Sequence, residues 1–129
     1  MKNLANCNPS EFLTQTNRIR KSVSKWLTDT DIVNIRKRMP KIDENASDEE
    51  RKKAYSKQAS ENINAVLDSI LDEHPDETLE LLALCCFVEP ENVNDYKMSD
   101  YFSSLTELMG DEAVIGFFQS LASWANRLT

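Results

Sequence analysis

Apolar positions recur every three or four residues through most of this chain, and clusters of polar, cap-forming residues interrupt the recurrence. Phe12, Thr16, Ile19, Val23 and Trp26 form one stripe of an amphipathic helix, with Arg18, Lys21 and Lys25 on the opposite side. Asn8-Pro9-Ser10 suits its start, because Asn8 or Ser10 accepts from an orphan N–H and proline fits the first helical position. Thr28-Asp29-Thr30-Asp31 is expected to break this helix and to cap a short second one, Ile32 to Met39. Pro40 ends that one, since proline disfavours the helical conformation in the residue before it.

After an irregular stretch from Lys41 to Ala46, Ser47-Asp48-Glu49-Glu50 has the form of a capping box. It predicts a long helix to about Glu73, with Tyr55, Ala59, Ile63, Val66, Leu67, Ile70 and Leu71 on its apolar face. His74-Pro75 punctuates the chain, and Pro75, Asp76 and Glu77 suit the start of a fourth helix. From Leu79 to Val88 the sequence LELLALCCFV is apolar all round, the pattern of a helix buried at the centre of a domain, and Pro90 is expected to stop it. A polar loop follows. Ser99 or Asp100 then caps a fifth helix that ends at Gly110, a suitable residue just past a helix end. Asp111 caps a sixth, with Val114, Phe117, Phe118, Leu121, Ala125 and Leu128 on its main stripe. The expected fold is therefore all-α, a compact bundle of about six helices.

Composition supports this reading. The 129 residues fit one domain, expected to span 1–129, with basic N-terminal helices over 1–46 and the long, buried and C-terminal helices over 47–129. Two glycines and four prolines cannot supply the frequent turns of an all-β domain. No apolar run approaches the roughly 18 residues that span a bilayer, and MKNLANCNPSEF has no apolar signal core. Three cysteines, two of them adjacent at Cys85 and Cys86, do not form a disulfide framework, so a reducing compartment is expected. The net charge of −7 is uneven: residues 1–58 carry 13 basic and 8 acidic groups, residues 59–129 carry 2 and 14. A split of +5 against −12 suits two differently solvated faces, or head-to-tail self-association.

Little points to catalysis. His74 is the only histidine, so Ser-His and Cys-His pairs need it, and it sits at a helix junction. Three cysteines and one histidine lack zinc-ligand spacing, and Gly110 and Gly116 form no phosphate loop. The acidic cluster Asp68, Asp72, Glu73, Asp76 and Glu77 lacks the pattern of a calcium loop. No catalytic residue, cofactor or metal is expected. Protein binding fits better. On the fifth helix Met98, Phe102, Leu105 and Met109 form the main stripe, which Tyr101 and Leu108 widen. Ile115 and Trp124 lie off the main stripe of the sixth. Surplus apolar residues imply either a second contact surface or helices held between two neighbours.

The segment LALCCFVEPENVNDYKMSDYFSSLTELMGDEAVIGFFQSLASW, about Leu82 to Trp124, resembles the tail assembly chaperones of long-tailed bacteriophages and prophages. The similar features are an apolar helix ending in F-V-E-P, an M-x-[DE]-Y before a leucine-bearing helix, and D-E-A-V-I-x-F-F-x-S-L-A. The resemblance implies a protein of the bacterial host cytoplasm, present during tail morphogenesis, with no membrane partner. Such chaperones coat the tape measure protein, keep it soluble and recruit tail tube subunits; many exist in a short form and a longer frameshifted one. Carried onto this sequence, Tyr101, Leu108, Ile115, Phe118 and Trp124 are the candidate protein-binding residues, for the tape measure protein or for self-association. Two other readings stay open. One is a small helical regulator that binds nucleic acid through the basic segment 18–38, against which the acidic balance and a pI near 4.7 argue. The other is an acidic helical immunity or anti-regulator protein.

Overall fold

The computed structural model describes residues 1–128 and is all-α: 77% of the chain is helical, with no strand among the described residues. The helices are α1 (Pro9–Thr30), α2 (Ile32–Arg36), α3 (Asp48–Asp68), α4 (Pro75–Cys85), α5 (Met98–Met109) and α6 (Glu112–Leu128). A π turn, Ser69–Glu73, extends α3, and a 3-10 turn, Pro90–Asp95, lies between α4 and α5. Among the described residues no helix is long and apolar enough to cross a membrane. The chain divides into two compact units, Val23–Thr78 and Met1–Ser22 with Leu79–Thr129, whose limits fall inside α1 and α4.

Several helix starts follow the cap-forming residues. Asn8 Oδ1 accepts from the Glu11 N–H at 2.8 Å, and Glu11 Oε1 accepts from the Asn8 N–H at 3.3 Å, a reciprocal capping box at the head of α1. Lys2 also bonds Glu11, and with the Asn8 N–H it holds that carboxyl below its ordinary range. Ser47 Oγ accepts from the Glu50 N–H at 3.1 Å, and Asp111 Oδ1 from the Val114 N–H at 2.9 Å. α5 departs from expectation: Lys97 is its cap residue, and the Asp100 carboxylate accepts from the Lys97 N–H at 2.9 Å.

Helix ends differ more from the sequence pattern than helix starts do. α1 runs to Thr30 because Thr28 and Thr30 return their hydroxyls to the carbonyls of Ser24 and Trp26, satisfying themselves inside the helix. The break comes at Asp31, in the left-handed region at φ 55°. α2 stops at Arg36, well short of Met39. α4 stops at Cys85, before Pro90 can act. There Phe87 takes φ 55°, the Val88 N–H reaches the Ala83 carbonyl at 2.9 Å and the Phe87 N–H the Leu84 carbonyl at 3.4 Å, which is a Schellman motif with an aromatic residue in glycine's usual place. Gly110 needs no such freedom, since it caps α5 at φ −89°.

In the unit Val23–Thr78, α3 is rotated by roughly a third of a turn from its expected orientation. The inward side chains are polar: Asn62 Nδ2 donates to the Arg36 and Arg38 carbonyls at 3.3 and 2.9 Å, and Ser69 Oγ donates to the Thr30 carbonyl at 2.7 Å. These bonds close the carbonyl ends of α2 and α1, which four unpaired carbonyls at every helix end require. Tyr55, Ala59, Ile63, Leu67 and Leu71 of the expected core face are exposed, and Val66 and Ile70 are half-buried. On its other side the unit is pinned by Trp26, whose indole N–H donates to Thr78 Oγ1 at 3.0 Å.

The unit formed by Met1–Ser22 and Leu79–Thr129 has its core where the apolar segment LELLALCCFV predicts it. Ala83, Cys86, Val88 and Tyr101 are buried together, with Leu79, Leu82, Cys85 and Val93 packed against them. Burial pushes the Cys85 thiol up to about 11, with the Cys86 thiol adding to the effect. Gln15, buried on α1, donates from Nε2 to the Leu84 carbonyl at 2.6 Å and so closes the end of α4. Asn3, wholly buried, donates to Ser104 Oγ at 2.9 Å and accepts from the Ala5 N–H at 2.7 Å, which ties the N-terminal segment onto α5.

Candidate protein-binding surface

The five candidate residues separate in the structure. Tyr101 is 1% exposed. Its hydroxyl donates to the Val93 carbonyl at 2.7 Å, and its ring meets Tyr96 edge-on at 6.2 Å. It is a core residue, and its place on the binding surface is corrected accordingly. Leu108 is half-buried. Ile115, Phe118 and Trp124 are exposed, Trp124 at 58%.

The reason lies in α5, which turns inward the flank carrying Tyr101 and Ser104, roughly a quarter turn from the centre of its main apolar stripe. Tyr101 and Ser104 are its buried residues, and Ser104 carries the hydrogen bond from Asn3. Burying that bonded pair forces Met98, Phe102 and Met109 outward; all three are exposed, Met109 at 76%. Of the expected core stripe only Leu105 is half-buried. Sequence periodicity identifies a stripe but not its exact direction when one flank carries a tyrosine and a serine with buried partners.

α6 divides along its length. Val114 is buried, and Phe117 packs edge-to-face on Phe12 of α1 with ring centroids 5.0 Å apart. Phe118 meets both rings, at 5.4 Å from Phe117 and 6.3 Å from Phe12. This aromatic trio anchors the first half of the helix. From Phe118 to Leu128 every residue is exposed. Val114, Phe117, Leu121, Trp124 and Leu128 are spaced alternately by three and four residues, the spacing of a coiled-coil seam. The first two members of that seam are covered and the last three are open. Trp124, which lies off the broader stripe, belongs to this seam. Leu121 and Leu128, on the main stripe expected from the sequence, are surface residues, and the three-four alternation is the signal that groups them with Trp124.

Beside the anchor, Leu4, Cys7, Pro9, Phe12, Val114 and Phe117 border an open, mainly apolar cleft of about 400 Å³. His74 Nδ1 lies 3.7 Å from Glu77 Oε1, and no cysteine is near it in sequence. Among the described residues no group of three or more His, Cys, Asp or Glu is placed to hold a metal ion. Comparison with protein-family models, curated proteins and solved structures finds no match to this chain.

Proposed function

We propose that this chain is a non-catalytic binding protein of the tail-assembly-chaperone kind. It covers apolar helical stretches of a phage tape measure protein in the host cytoplasm and helps recruit tail tube subunits around it. One observation carries the reading: the open half of the α6 seam, Leu121, Trp124 and Leu128, on a helix exposed from Phe118 onward. The resemblance over Leu82 to Trp124 points to the same segment. A helical client laid along the seam buries apolar side chains worth about 1.5–3 kcal/mol each before ordering costs. Each contact is short and reversible. Repetition along a long client supplies the net affinity, and single copies can still be displaced by tube subunits.

The test is co-expression with an apolar, helix-forming tape measure fragment that is insoluble alone. The full chain is expected to bring the fragment into the soluble fraction, and Leu121→Glu with Trp124→Glu to leave it in the pellet. Equal solubility with the double variant sinks the proposal.

A further inference from the structure

The unit Val23–Thr78 contains a second apolar surface, separate in sequence from α6. Asn62 draws the Arg36 and Arg38 carbonyls onto α3, and the chain then passes Met39 and Pro40 alongside that helix. Between them lies an open groove of about 480 Å³, floored by Ala59, Ile63 and Val66 and edged by Met39, Tyr55 and Leu67. Its walls are overwhelmingly apolar, and Ile63 is 61% exposed and Met39 68%. Arg36 and Arg38 also line it, and Lys37 between them is exposed. Among the described residues none of these three cations has a carboxylate within ion-pair distance.

We propose that this groove binds an acidic amphipathic helix. Three features define the occupant. Tyr55 to Leu67 presents apolar side chains at helical spacing over about 18 Å, which matches a three-turn helix with anchors at i, i+3 or i+4, and i+7. The uncompensated Arg36-Lys37-Arg38 edge selects carboxylates beside those anchors. The cations border an apolar groove and do not form a continuous track that would follow a phosphate backbone, so they serve as a rim to a hydrophobic contact. The surface is distinct from the α6 seam and stands whether or not the tape measure reading holds.

Two labelled 14-residue helical peptides test it, identical in their leucine anchors but flanked by glutamates in one and by lysines in the other. Fluorescence anisotropy with the full chain is expected to show the glutamate peptide binding at least tenfold tighter. Ile63→Glu removes that binding, and the pair Arg36→Glu with Arg38→Glu reverses the preference toward the lysine peptide. Leu121→Glu leaves both results unchanged. Ile63 and the two arginines are exposed, so circular dichroism is expected to show native helicity in each variant. Equal binding of the two peptides overturns the proposal. So does binding of a duplex oligonucleotide that ignores Ile63→Glu. Sedimentation velocity in which Ile63→Glu converts a dimer to a monomer also overturns it, since a second copy of the chain would then be the occupant.

Discussion

The Tyr101 hydroxyl donates to the Val93 carbonyl at 2.7 Å, and this bond closes the 3-10 turn Pro90–Asp95 onto α5. The ring fills the space beside Cys86 and Val88, so one side chain serves both as packing and as a hydrogen-bond donor to that carbonyl. Tyr101→Phe keeps the packing and removes that bond, at a cost of about 1–2 kcal/mol. Tyr101→Ala opens a cavity as well and costs about 3–5 kcal/mol. Chemical denaturation checks the order. A Tyr101→Ala variant as stable as the parent would show that the residue lies at the surface.

Buried polar side chains close helix ends in this glycine-poor chain. Ser69 closes α1 through Thr30, Asn62 closes α2, and Gln15 closes α4 through Leu84. Each bond joins positions at least 24 residues apart. Ser69→Ala and Asn62→Leu are each expected to lower stability by about 1–3 kcal/mol, because buried carbonyls lose their donors. Hydrogen exchange supplies the specific readout: amides in the last turn of α1 should lose protection in Ser69→Ala before those of α5 do.

The same residues explain what the sequence could and could not convey. Starts of helices are local events, and Asn8, Ser47 and Asp111 announce themselves within three residues of the N–H each one receives. The core segment LELLALCCFV is equally local, since no polar face competes for the interior. Orientation is not local. α3 and α5 each carry a full apolar stripe, yet Asn62, Ser69 and Ser104 rotate each helix toward one flank of it because their partners come from distant segments. That rotation places Tyr101 in the core and not on the candidate surface. It also exposed Met98, Phe102 and Met109, as well as Ile63 and Leu67, which no periodicity argument would have left outside.

Backbone conformation gives a comparison that is independent of packing. Asp31 sits at φ 55° on the surface, where a Cβ is strained and glycine is not. Asp31→Gly is therefore expected to be more stable than Asp31→Ala by about 1 kcal/mol. Gly116 presents the opposite case: it lies within α6, and a Cβ there meets nothing within 4 Å. Gly116→Ala should stabilise the protein by about 0.5–1 kcal/mol through helix propensity and a less disordered unfolded state. Thermal melts of the four proteins test both signs at once.

The buried thiols set a pH dependence. Burial raises Cys85 to about 11 from an ordinary 9.0, and it raises Cys86 and Tyr101 in the same direction. A neutral acid favoured by the fold contributes its stability fully below its unfolded pKa and loses it as pH climbs to the folded one. Between about pH 9 and 11 the parent should lose up to about 2 kcal/mol from Cys85 alone. Cys85→Ala, though less stable at pH 8 for its lost packing, should lose less over that interval. Urea midpoints at pH 8 and 10 measure the difference. Equal losses in the two proteins would mean that the Cys85 thiol ionises freely in the folded state.

The decisive contrast is between stability and binding along α6. Phe117 is locked against Phe12, so Phe117→Ala is expected to destabilise the protein by about 2–4 kcal/mol, binding or not. Among the described residues Trp124 and Leu128 have no ring contact, and they are 58% and 89% exposed. Truncating either to alanine should change folding stability by no more than about 0.5 kcal/mol. If the open seam is the contact surface, the same two truncations weaken association with a helical client at least tenfold, since an exposed aromatic anchor is where interface energy concentrates. Measuring both quantities on the same variants separates the roles. Loss of stability without loss of binding at Trp124 would make the end of α6 a structural element, and loss of neither would leave the client on another face of the protein.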